Sequence, residues 1–244
     1  MSTYPITVKP FGAHAVLVEW PHKVEEAILG DVLQFCKYLE KRLDKNNWEY
    51  IPAYNSLTLI HRKEIIDYVK LKKALKDWYA ENENSEPLSK FLWRLPVCYD
   101  LDLATDLEEV AHKLKKTVSE VMALHTQQVY TVYGIGFLPG FMYLGGLPMS
   151  LEVPRKSTPR LKVDKGSVGL AGKQTGIYPQ ESPGGWNIIG NCPIPIFNMN
   201  KEEPCFVSVG DKIQFYPISR AAYDLHKIEG EVGIYQLEKL EIDA

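Results

Sequence analysis

The sequence predicts an α+β protein in two parts: a small α+β domain over residues 1–88, then a larger β-rich sandwich or barrel over 89–244. Three observations lead there. Strand-like runs alternate with helical periods up to about residue 80, which suits helices packed on one face of a sheet. The stretch AENENSEPL at 80–88 is polar, acidic and closed by proline, the best boundary in the chain. Beyond it, short apolar runs are separated by dense turn signals, and twelve of the 17 glycines fall between Gly134 and Gly190.

In the first part, Tyr4–Val8 and Ala13–Trp20 read as strands joined by a Pro-Phe-Gly turn. From Lys23 to Leu43, Val24, Ile28, Val32, Phe35, Leu39 and Leu43 recur at a helical period, with charged residues on the other face. Trp48–Pro52 and Ser56–His61 are the next strands. Asp67 is placed to cap a second helix whose face is Tyr68, Leu71, Leu75 and Trp78.

The second part opens on a strand, Phe91–Tyr99, in which Pro96 argues for an edge or an end. Two helix starts follow, each with a capping box: Thr105-x-x-Glu108 and Thr117-x-x-Glu120. The second helix puts Val118, Val121, Met122 and His125 in one stripe. A histidine on an apolar face is either a hydrogen-bonded core residue or a catalyst held near a site. Past the glycine-rich segment, Pro193–Phe197, Phe206–Val209, Lys212–Pro217 and Gly233–Leu237 read as further strands.

Residues 133–190 carry the chemistry. Glycine supplies positive φ and close approach to the main chain, and prolines 139, 148, 154, 159, 179 and 183 stiffen the turns. Phe137, Phe141, Tyr143, Tyr178 and Trp186 are interleaved, which separates this segment from a flexible linker. Arg155 and Arg160 flank a Ser-Thr-Pro turn, and Gln174, Tyr178, Glu181 and Ser182 follow. Two guanidinium forks on proline-fixed loops suit a carboxylate or phosphate; the alternative is pairing with local carboxylates such as Glu152 and Asp164.

Other chemistries fit poorly. A net charge of −3 gives no electrostatic reason for nucleic acid or an anionic membrane. No apolar run is long enough to span a bilayer, and the N-terminus lacks a secretory pattern, so a cytoplasmic location is expected. The four cysteines lack metal-like spacing and read as free buried thiols. GLAGKQTG fails the phosphate-loop spacing and has Gln174 where a Ser or Thr is needed. With no HExxH and six scattered histidines, neither a metal nor an organic cofactor is expected.

The run GFLPGFMYLGGLP, then PRxxTPR, GSVGLAGKQTGIYPQESPGGWNIIG and the closing IPIF resemble the signature of the KipI family. That family is also known as the B subunit of 5-oxoprolinase and, formerly, as allophanate hydrolase subunit 1. The resemblance is strong over residues 91–217 and in outline before them. It implies a small ferredoxin-like α+β domain followed by a cyclophilin-like β-barrel. It also implies one component of an ATP-dependent 5-oxoprolinase, inactive alone, with ATP as co-substrate of the complex. The implied partners are a KipA-like C subunit and a LamB/YcsF-like A subunit. KipI itself points to another class, a regulator that binds a sensor histidine kinase.

Lactam opening needs donors for carboxylate and phosphoryl oxygens and a proton acceptor. Carried onto this sequence, the resemblance makes Arg155 and Arg160 the anion holders and His125 the acid/base, oriented by Glu181. Gln174 and the backbone of 134–140 and 166–172 would stabilise the oxyanion, and Tyr143, Tyr178 and Trp186 would wall the pocket. The older amidase name would require an activated serine. Ser157, Ser167 and Ser182 have no evident base, so that chemistry is set aside.

Overall fold

A computed structural model describes residues 4–82, 88 and 90–242. Most of the polar break at 80–88 lies outside the described residues. The chain divides into two compact units, Met1–Ser89 and Lys90–Asp243.

The first unit is a four-stranded antiparallel sheet with two helices. Its strands are β1 (Thr7–Pro10), β2 (Ala15–Glu19), β3 (Trp48–Ala53) and β4 (Ser56–His61), in the order β1-β2-β4-β3. Helix α1 (Glu26–Arg42) buries Ile28, Leu29, Val32, Phe35, Cys36 and Leu39, the stripe its period dictates. It starts later than the periodicity suggests and leaves Val24 exposed. Helix α2 (Tyr68–Glu81) is capped by Asp67, whose carboxylate accepts from the Lys70 N–H at 3.1 Å. Valines and leucines of β1, β2 and β4 complete this core with Trp20 and Tyr79.

The second unit is a barrel. Strand β5 (Lys90–Cys98) leads to α3 (Leu107–Leu114), α4 (Val118–Gln127), β6 (Val129–Ile135) and β7 (Met142–Gly145). Then come β8 (Arg160–Val163), β9 (Ser167–Ala171), β10 (Gln174–Ile177), β11 (Ser182–Gly184) and β12 (Asn187–Asn191). Strand β13 (Lys212–Ile218), α5 (Arg220–Val232) and β14 (Glu238–Ile242) end it. Neighbours run β12-β9-β10-β7-β6-β13-β5, and Asn191 of β12 pairs with Cys98 of β5 to close a seven-stranded barrel. Strand β14 adds to β5 outside the ring, and β8 pairs with β11 in a separate two-stranded ribbon.

Four expectations are corrected here. Pro96 does not mark an edge, because β5 lies between β13 and β14. On the β14 side the pairing ends at Arg94 and resumes with β12 at Cys98, so the proline occupies a gap where no ladder donor is called for. The first capping box does not form; α3 begins at Leu107 with Asp106 as its N-cap residue, and that carboxylate is engaged elsewhere. The second box forms in full between Thr117 and Glu120. Pro193–Phe197, Phe206–Val209 and Gly233–Leu237 are not strands. Between β13 and β14 the chain makes α5, which no expectation included, capped by Ser219 and ended by Gly233 in the left-handed region.

Among the described residues, no helix is long and apolar enough to cross a membrane.

Candidate functional site

Successive side chains of a strand point to opposite faces, and this sorts the polar residues of the barrel into two places. Met142, Leu144, Val168, Leu170, Ile177 and Ile189 join the interior core. Phe141, Val163, Ala171, Tyr178, Trp186 and Ile188, with Tyr143 and Leu138 against them, form a second cluster on the outer face. Two outward-facing glycines keep that face flat. A Cβ at Gly169 would come within 3.0 Å of Trp186 Cβ, and one at Gly176 within 2.7 Å of the Met142 carbonyl and 3.2 Å of the Trp186 ring. The indole lies on the strands where side chains would otherwise stand.

On this face is a pocket of about 500 Å³, a size suited to a small molecule. Its apolar wall centres on Phe141, whose ring lies 4.9 Å from Tyr143, 5.3 Å from Tyr178 and 5.4 Å from Trp186, the last two edge-to-face. Phe137 stands at the mouth, 66% exposed and with φ of +66°, a conformation costly for a residue with a Cβ. Pro159, Ala171 and Pro183–Gly185 complete the lining. The polar groups are Arg155, Gln174 and the two tyrosine hydroxyls. Burial raises both phenols above their ordinary range, opposed at Tyr178 first by a backbone hydrogen bond from Trp186 and at both by Arg155, so they remain protonated at neutral pH. Arg155 is exposed and, among the described residues, has no carboxylate partner.

Arg160 and Lys156 are placed differently. Both bind Asp106, a carboxylate only 2% exposed: Arg160 Nη2 donates to Oδ1 at 2.5 Å and Lys156 Nζ stands 2.8 Å from the same oxygen. The Ile188 N–H donates to Oδ2 at 2.7 Å. Burial alone would raise the Asp106 pKa, but hydrogen bonds from Arg160, Lys156 and Ile188 outweigh it and hold the pKa below the ordinary value. Arg160 therefore has a local carboxylate partner, though neither Glu152 nor Asp164. Among the described residues, its Nη1 is buried without a hydrogen-bond partner.

His125 is not in this pocket. It is fully buried inside the barrel, stacked on Phe215 with ring centroids 4.7 Å apart. Nδ1 lies 2.7 Å from Tyr99 Oη and Nε2 lies 3.0 Å from Thr175 Oγ1. The Thr175 hydroxyl donates to the Gly169 carbonyl, so it accepts from His125; Nε2 carries the proton and Nδ1 accepts from Tyr99. Burial lowers the His125 pKa to about 3. A satisfied ring with no exposed surface has no route to a substrate proton, so the expected acid/base role is corrected to a core role. Glu181 does not orient it either: it is exposed, pairs with Lys162 at 2.8 Å, and faces another cleft with Lys227 and Glu231.

The structure thus brings Arg155, Gln174, Tyr143, Tyr178 and Trp186 together and leaves His125 and Glu181 outside. Residues 6–207 match the family described as carboxyltransferase domain, subdomain C and D. The chain is 33% identical over 232 residues to the 5-oxoprolinase B subunit of Bacillus subtilis (strain 168), covering 91% of this chain and 97% of that protein. The chain belongs to the family of 5-oxoprolinase B subunits. The family's member from Escherichia coli O157:H7 is 40% identical over 169 residues, which is 69% of this chain and 77% of that one. Among solved structures, TTHA0988 superposes with a TM-score of 0.72 at 31% identity over 87% of this chain. This chain spans 40% of the length of that one.

Motif reading in this family chain missed Phe137, Phe141 and Asp106 as parts of the site. The phenylalanines were visible as aromatics set among glycines. Asp106 had no such signal, because its partners are 50 and more residues away in sequence.

Proposed function

We propose that this chain is the B subunit of an ATP-dependent 5-oxoprolinase, acting with A and C subunits to hydrolyse 5-oxoproline to glutamate, and that the outer-face pocket is its share of the substrate site. The observation that carries this reading is Arg155, a cation without a carboxylate partner at an aromatic-lined pocket. It is supported by the names of the relatives, whose matches cover 91%, 69% and 86% of this chain.

In this reading Arg155 grips the substrate carboxylate through its planar fork. The lactam ring lies against Phe141, Tyr143 and Trp186, which exclude water. Opening an unstrained lactam is uphill, and transfer of the ATP γ-phosphoryl group to the amide oxygen makes that oxygen a leaving group. One water attacks the carbon and the C–N bond breaks, leaving the freed amine and an acyl phosphate, which a second water cleaves to glutamate and inorganic phosphate. The Tyr143 and Tyr178 hydroxyls and the Gln174 amide supply donors for charge that develops on oxygen. The lining residues include no carboxylate or imidazole, so the proton acceptor is assigned to another member of the complex, which makes this chain a half-site, inactive alone.

The test is 5-oxoproline-dependent ATP hydrolysis by A, B and C subunits mixed, with each omitted in turn. Activity only in the full mixture supports the reading. Activity indifferent to this chain overturns it, and a kinase autophosphorylation assay then examines the regulator implied by the KipI resemblance.

A further inference from the structure

We infer that Asp106 is a positioning residue, one buried carboxylate that holds both walls of the pocket and thereby aims Arg155 at an anionic ligand. The inference rests on the proposed function for the identity of that ligand.

The side chain sits at the start of α3 but makes no capping bond there. Its two oxygens reach instead to Arg160, Lys156 and the Ile188 N–H, at 2.5, 2.8 and 2.7 Å. The Asp106 N–H returns a bond to the Ile188 carbonyl at 2.8 Å, so residue and strand β12 are locked in both directions. Lys156 and Arg160 bracket the loop that carries Pro159 and follows Arg155; Ile188 stands two residues beyond Trp186. The two walls are also joined to each other: the Lys156 N–H donates to the Gly185 carbonyl at 2.8 Å, and Asn187 Nδ2 donates to the Pro154 carbonyl at 2.9 Å.

Arg155 therefore has a fixed neighbour on each side while its own guanidinium is free of carboxylates. The division of charge matters as much as the geometry. Asp106 is engaged by Lys156 and Arg160, the two cations nearest it in the loop, and the third is left for a ligand. A buried carboxylate holding two cations is costly to disturb: removing its charge leaves Arg160 without a carboxylate and Lys156 with Glu109 alone, at 2.9 Å. Such a device suits a site that must present one arginine in one place.

The experiment uses the assembled three-component complex and two probes, 5-oxoproline and its uncharged analogue 2-pyrrolidinone, titrated by calorimetry. Wild type is expected to prefer 5-oxoproline. Asp106→Asn keeps the shape and removes the charge; it is expected to reduce that preference by about tenfold, the scale of one charge-assisted hydrogen bond, with little change for 2-pyrrolidinone. Adding Arg155→Ala to Asp106→Asn should cost less than Arg155→Ala costs alone, because the two act through one grip.

If Asp106→Asn does not fold, Lys156→Met cuts the tie next to Arg155 while sparing Ile188 and Arg160, and a several-fold loss of preference is expected. A merely structural role would lower affinity for both probes equally, and that result overturns the inference, as does an unchanged preference. A wild-type complex that prefers neither probe overturns the proposed substrate and the inference with it. A wild-type preference that survives in both variants overturns the inference alone.

Discussion

Gln174 and Thr175 are consecutive residues of β10, and they belong to two different polar sites. Thr175 points into the barrel, where it accepts from His125 and donates to the Gly169 carbonyl. Gln174 points outward to the pocket that Arg155 shares. The inner site is closed: every polar atom of the His125–Tyr99–Thr175 set has a partner and all three residues are buried. The outer site is open, with a cation exposed beside aromatic walls. Perturbed titration favours the inner site and available chemistry the outer. A shifted pKa marks burial first and function only when the group can be reached.

The largest expected effect would break or keep this distinction at His125. Replacing it by Ala should destabilise the barrel by about 3 kcal/mol, through a cavity against Phe215 and a Tyr99 hydroxyl left without its acceptor. The pH dependence carries a sign. The unfolded imidazole takes up a proton near its ordinary 6.5, whereas burial holds the folded one down to about 3. Between those values the unfolded chain binds more protons, so stability falls as pH is lowered from 6.5 towards 3, by at most about 1.4 kcal/mol per pH unit. Asp106 and Glu109, whose pKa values are held low, lose their own stabilisation at lower pH. Urea midpoints between pH 6.5 and about 5 should therefore show that slope in wild type and lose it in His125→Gln. A flat wild-type profile would mean the ring is more accessible than its packing indicates.

Arg155→Ala should show the opposite pattern. With no carboxylate partner to lose, its stability should stay within about 0.5 kcal/mol of wild type. ATP-coupled lactam opening by the complex should fall about 100-fold, near 2.7 kcal/mol of transition-state stabilisation. Thermal melts beside steady-state rates decide it. A variant that melts early and keeps its rate would place Arg155 with the scaffold.

Gly184→Ala tests the outer wall from the side of packing. A Cβ there would overlap the Tyr178 hydroxyl, which must move for the methyl to fit. The cost in stability should be about 1–2 kcal/mol, with ligand affinity falling as Tyr178 leaves the wall. Retained affinity would show that Tyr178 does not touch the ligand.

Much of this was legible before the fold was known. The period of α1 and the Asp67 cap are local signals, and the structure keeps them. So is the clustering of glycine with aromatics at 133–190, which marked the pocket. What failed was long-range. His125 looked catalytic because it lies next to the glycine-rich segment in sequence, but the buried face of helix α4 carries it into the barrel core, against Phe215 and Thr175. Thr105-x-x-Glu108 has the letters of a capping box, yet Asp106 is drawn to Ile188, Arg160 and Lys156 across 50 to 82 residues. Helix α5 was bracketed by Ser219 and Gly233, with Leu225, Ile228 and Val232 at helical spacing, and still went unread; that stripe faces outward, and only Tyr223 of the helix is buried.

The smallest expected difference is the sharpest, because it separates two adjacent residues. Thr175→Val keeps the shape of the side chain and removes the hydroxyl that joins His125 to Gly169; it leaves Nε2 of a buried imidazole without its acceptor and should cost about 1–2 kcal/mol. Since Thr175 faces away from the pocket, the KM for 5-oxoproline should be unchanged. Gln174→Leu replaces a half-buried amide on the outward side by an apolar group and removes whatever bond that amide makes, so stability should fall by no more than about 1 kcal/mol. Its effect should fall on turnover, by about tenfold, if the amide supplies one donor to the developing oxyanion. Denaturation midpoints and rates on the two variants form a crossed pattern, one losing stability alone and the other chiefly turnover. If both variants lost both properties, the wall between the closed site and the open one would be a single coupled unit.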